Sequence, residues 1–154
     1  MYEWALFLHL TGAILFFAGL AVAAVGHATA RRVGRPSEVA AVLGVARWGV
    51  LLVALGLPTA VGAGFWLLDV TNYGLDGWVV ASLALLVVAL AGGGAGGQAP
   101  KRARRLAEQL AGEGDQPSAE LDRALRVPVA DALNWAAAAA AVAILVLMVW
   151  KPGA

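Results

Sequence analysis

The chain has 154 residues, 61% hydrophobic and 14% charged, with a formal net charge of +1 and no cysteine. An ordinary soluble domain is about 45–50% apolar and about 25% charged, so a single soluble core is excluded. Disulfides, thiolate metal sites and haem attached through a CxxCH motif are excluded with it.

The apolar residues fall into four long blocks, the pattern of a polytopic membrane protein. The first block, residues 4–30, carries no charge and holds both histidines. At about 1.5 Å per residue it crosses a bilayer as one helix. Ala28-Thr29-Ala30 resembles a cleavage site. The start has no basic n-region, and the run exceeds the roughly 7–15 residues of a signal peptide core, so it is expected to stay as the first span. A basic loop over residues 31–36 follows. Ser37 is the expected N-cap of the next helix, with Glu38 in its first turn, where the helix dipole favours an acid.

The second span is expected over residues 48–68, after a semi-polar stretch ending at Arg47. Pro58 near its middle predicts a kink and a freed carbonyl at Ala54. Residues 69–77 are rich in turn formers. The third span is expected over residues 78–95, dissolving into the glycine run 92–97. The polar linker 101–126 carries six basic and five acidic residues. Leucines at helical spacing predict two short amphipathic helices there, about 100–111 and 118–126. Pro128 suits the first turn of the last span, over residues 130–150. The expected fold is all-α, a four-helix transmembrane bundle in one domain.

Ten of the eleven Lys and Arg residues fall on one side of these spans, and only Lys151 on the other. The positive-inside rule puts both termini and the 69–77 connection outside. The tryptophans agree. Trp4, Trp66, Trp78 and Trp150 fall at the outer ends, and Trp48 and Trp135 at the inner ends, as aromatic belts require. The basic residues are explained by topology, so no nucleic-acid role is expected. The cluster 101–105 reads either as a solvated loop or as a patch drawn to anionic headgroups or a partner.

In the first span His9 and Phe16 are seven residues apart, and so are Gly12, Gly19 and Gly26. The two series share nearly one face. Glycines there allow close approach of another helix or of a flat ligand. An ionisable group inside a membrane is a functional hypothesis by default, and His9 reads as a haem ligand or as a hydrogen-bonded structural group. The candidate cofactor set is His9, Gly12, Phe16, Gly19 and Arg47, with His9 on haem iron and Arg47 on a propionate. Arg47 has an alternative as the ion-pair partner of Asp131. His27 lies about 27 Å from His9 along the axis, so one metal cannot join them. A sixth iron ligand would come from another subunit, Met148 or water. No P-loop, GxSxG or HExxH motif is present, and no catalytic residue is assigned.

The opening Trp4, Leu8-His9-Leu10-Thr11-Gly12-Ala13 and Phe16-Phe17-Ala18-Gly19, four spans, and the closing Met148 to Pro152 resemble a bacterial family of predicted integral membrane proteins of unknown function. That family is similar in turn to copper-resistance D proteins and HemJ-type protoporphyrinogen oxidases. The resemblance implies a b-type haem at His9. The HemJ type uses a lysine in its third helix, and residues 78–97 have none. The expected function is a small subunit or accessory protein of the bacterial inner membrane, in a larger complex or homo-oligomer. A cofactor-free structural protein and a porphyrin-oxidising enzyme are the alternatives.

Overall fold

The computed structural model describes residues 1–74 and 76–152. Six helices account for nearly all of them: α1 (Tyr2–Ala30), α2 (Pro36–Thr71), α3 (Gly77–Gly96), α4 (Gln98–Gly112), α5 (Ala119–Leu125) and α6 (Pro128–Trp150). Among the described residues there is no strand, and four stretches are long and apolar enough to cross a membrane. The all-α, four-span expectation therefore holds. The chain forms two compact units, Met1–Gly74 with Ala107–Pro117, and Leu75–Leu106 with Ser118–Ala154.

The first unit is built on α1 and α2. Both are uniformly apolar, and large side chains such as Phe7, Ile14, Val25, Val50 and Leu55 stay exposed, as lipid-facing groups do. Lipid supplies no hydrophobic drive for helix pairing, so the helices must associate through close packing. The buried positions show how. Ala5, Gly12 and Gly19 on α1 and Gly49, Gly56 and Ala63 on α2 repeat every seven residues. Gly12 meets Gly56, and Gly19 meets Gly49. Position numbers rise on one helix as they fall on the other, so the pair is antiparallel.

One expectation for α2 is corrected. Its cap is Arg35, in an extended conformation, and Ser37 sits inside the first turn. The Ser37 N–H and hydroxyl both donate to Asp115, at 2.7 and 2.6 Å. A carboxylate from the linker thus satisfies an N–H of the first turn that the helix itself leaves unpaired. The helix is continuous through Pro58, which is exposed. α2 begins at Pro36 and has 36 residues, a rise of about 54 Å. That exceeds the roughly 30 Å hydrocarbon layer, so its first turns extend past the bilayer.

The second unit is built on α3 and α6. The glycine run does not dissolve α3, which continues to Gly96. Gly92 and Gly96 are buried against α6: a Cβ at Gly92 would lie 3.0 Å from the Leu133 carbonyl oxygen, and one at Gly96 would meet Asn134 and Ala130. Glycine weakens an isolated helix, but here it permits close approach to a partner. At the other end Trp78 is buried, with the Lys151 ammonium 5.7 Å from its ring centroid. The linker helices form as expected, Ser118 capping α5 by accepting from the Glu120 N–H.

Candidate functional site

His9 lies on α1 between the level of Ala5 and that of Gly12, about 7–8 Å along the axis from Trp4. Its Nδ1 is 2.8 Å from the Ala60 carbonyl oxygen. A carbonyl only accepts, so Nδ1 carries the proton and donates. The ring lies over Gly64, where a Cβ would stand 3.3 Å from Nδ1 and 3.4 Å from Cε1. Gly64 therefore makes room for the imidazole, and Ala60 fixes its tautomer.

With the proton on Nδ1, Nε2 of the neutral ring keeps its lone pair. Among the described residues nothing hydrogen-bonds to Nε2, and the side chain is only part-buried. An imidazole that donates one N–H to a backbone carbonyl is oriented as metal-bound histidines are, with the other nitrogen left for the metal. An imidazole nitrogen of this kind is a donor that haem iron would accept.

The remaining expected site residues are placed differently. Gly12 and Gly19 are turned onto α2. A Cβ at Gly19 would lie 2.5 Å from the Gly49 carbonyl oxygen and 2.8 Å from the Val53 nitrogen, and Gly12 lies equally tight on Ala60 and Gly56. Their bare backbone is occupied by a helix, with no room for a flat ligand between. Phe16 is part-buried and stacks edge-on with Phe17, centroids 5.3 Å apart. Arg47 is exposed on α2, thirteen positions before Ala60, about 20 Å away along the axis. The structure does not bring Arg47 to His9. Asp131 belongs to the second unit.

His27 is held differently from His9. Arg31, one turn on, donates to its Nε2 at 2.9 Å. That bond takes the Nε2 lone pair a metal would need. Among the described residues no cluster of three His, Asp or Glu side chains could hold a metal ion.

The sequence singles out His9 and, around Pro58, the small residues Gly56, Gly62 and Gly64, but it gives no sign of Ala60 and points to Gly49 only through the glycine heptad on α1. A matching small-residue heptad, Gly49-Gly56-Ala63, stands in α2. Residues 4–152 match the profile of a family described as predicted integral membrane protein (DUF2269). Comparison with curated proteins and with solved structures gave no match.

Proposed function

The chain belongs to this family of integral membrane proteins, and on that premise we propose that it is a small membrane subunit or accessory protein binding b-type haem through His9 Nε2. One observation carries the reading: the Nδ1 proton is committed to the Ala60 carbonyl, so the imidazole presents a fixed, unpartnered nitrogen within a span. Haem bound there would supply electron-transfer chemistry. The work of this chain is to hold the ring, through Gly64 below it and Ala60 beside it.

Because α2 fills the glycine face of α1, the other contacts of the group come from outside this hairpin. That requirement favours work within a homo-oligomer or a larger membrane complex. The distribution of arginines supports a place for His9 near the outer face of a bacterial cytoplasmic membrane. The alternative is a cofactor-free structural or assembly protein, favoured by the same glycines, whose packing on α2 is complete without any ligand.

Absorbance of the purified protein separates the two. Haem binding predicts a Soret band that shifts on reduction and disappears in His9→Ala, whose helicity is retained. A protein without a Soret band, also after incubation with haemin, refutes the haem reading and leaves the structural one.

A further inference from the structure

The second unit has a pocket of about 370 Å³ where α3 gives way to α4 and α5 to α6. Its walls are apolar, with Ala95, Ala99, Val127 and Leu133, and its polar groups are Gln98 and Arg102. The length of α3 sets its depth. Twenty residues rise about 30 Å, one hydrocarbon thickness. Ala95 and Gln98 thus stand at the membrane boundary opposite Trp78. The start of α6 lies at the same boundary, with Val129 of the pocket wall and Trp135 further along α6 both exposed.

Arg102 is the charged group of this pocket. Among the described residues no acid or carbonyl takes its guanidinium, whereas Arg104 and Arg126 are engaged. Lys101 and Arg105 are also exposed, and residues 101–105 hold four cations and no acid. A guanidinium left without a protein partner is a bidentate donor for a phosphate. A soluble anion would have no use for the apolar walls, and an uncharged apolar ligand none for Arg102. A phospholipid has both a phosphodiester and an acyl chain, and it meets the protein at this depth.

We propose that the pocket is a binding site for an anionic phospholipid, with the phosphate on Arg102 and the first part of an acyl chain against Ala95, Ala99 and Leu133. The site shares no residue with the surroundings of His9 and does not depend on haem. Lys101 and Arg105 add attraction for the negative headgroup at its edge.

Native mass spectrometry of the full chain in neutral detergent tests it, with phosphatidylglycerol and phosphatidylcholine of identical acyl chains. The expected result is a preference of about fivefold or more for phosphatidylglycerol. Arg102→Gln abolishes that preference, while Arg105→Gln, outside the pocket, keeps most of it. Ala99→Phe fills the pocket and weakens both lipids, which guards against a folding artefact in a single variant. Equal affinity for the two lipids overturns the proposal, and so does a preference that survives Arg102→Gln. Loss of the preference in millimolar inorganic phosphate also overturns it, by making the site one for a soluble anion.

Discussion

Replacing Gly56 by alanine tests the seam that positions His9. A Cβ at Gly56 lies 2.5 Å from the Phe16 amide nitrogen and 2.6 Å from the Gly12 carbonyl oxygen. Both atoms are backbone of α1, so no rotamer change relieves the contact. Ordinary contact begins at 3.4 Å, so the helices must part by about 0.8–0.9 Å there. A gap of about 0.5–1 Å forfeits a quarter to a half of each dispersion contact it opens. Overpacking of this kind costs about 1–3 kcal/mol, a roughly 5- to 150-fold rise in the unfolding constant. Gly62→Ala is the control on the same helix, since no atom lies within 4 Å of a Cβ there. Relief from glycine favours the helix by up to about 1 kcal/mol, so this variant should be neutral or more stable. Unfolding in mixed micelles of rising SDS fraction, followed by circular dichroism, measures both. If Gly56→Ala unfolds with the native chain, or if the two variants shift together, the close seam is refuted.

The other expectations concern the ends of the helices. Asp115 is held below its ordinary 3.8, first by the Ser37 hydroxyl, then by the Ser37 N–H, with Arg35 adding a smaller pull against slight desolvation. A carboxyl lowered on folding stabilises above its ordinary value, and the contribution is lost as pH falls through the lowered one. Ser37→Ala should move the Asp115 carboxyl titration, read by carbon NMR, back toward 3.8; an unchanged midpoint removes the hydroxyl from the account. Lys151→Met should cost about 0.5–1 kcal/mol by removing the cation over Trp78, with a matching change in Trp78 fluorescence; unfolding identical to that of the native chain refutes that role. The chain has no cysteine, so Gly74→Cys is a single-site probe. It should react with a membrane-impermeant maleimide from outside, and labelling from the cytoplasmic side alone reverses the topology.

The spans were legible because hydropathy and helix length are local properties. Charge asymmetry gave an orientation for the same reason, since it counts residues between spans. The errors arise where a distant segment decides the local conformation. Ser37 has the chemistry of an N-cap, yet its hydroxyl is claimed by Asp115, 78 positions away. The run at Gly92–Gly96 looks like a helix end by propensity, but α6 packs against it and keeps it helical. Of the candidate site, His9 was visible as an ionisable residue in an apolar run. Its tautomer was not, because Ala60 contributes only a carbonyl, which every residue has.

The seam also explains why the histidine stands where it does. Small residues at Ala5, Gly12 and Gly19 allow α2 to approach, and that approach brings the Ala60 carbonyl within 2.8 Å of the ring. At Gly64 any larger residue would press on the imidazole. A hydrogen bond between membrane helices is worth only about 0.6–2 kcal/mol, less than the cost of leaving a polar nitrogen unpaired in hydrocarbon. The Nδ1 bond therefore accounts for half of the imidazole and leaves Nε2 unexplained. A purely structural histidine gains nothing from a second nitrogen, and glutamine could donate to Ala60 with its side-chain amide. On the haem reading Nε2 is the reason for histidine. His9→Gln should then keep the stability of the hairpin within about 0.5 kcal/mol while losing the Soret band. A glutamine variant that loses stability as His9→Ala does would instead place the value of the imidazole in packing over Gly64.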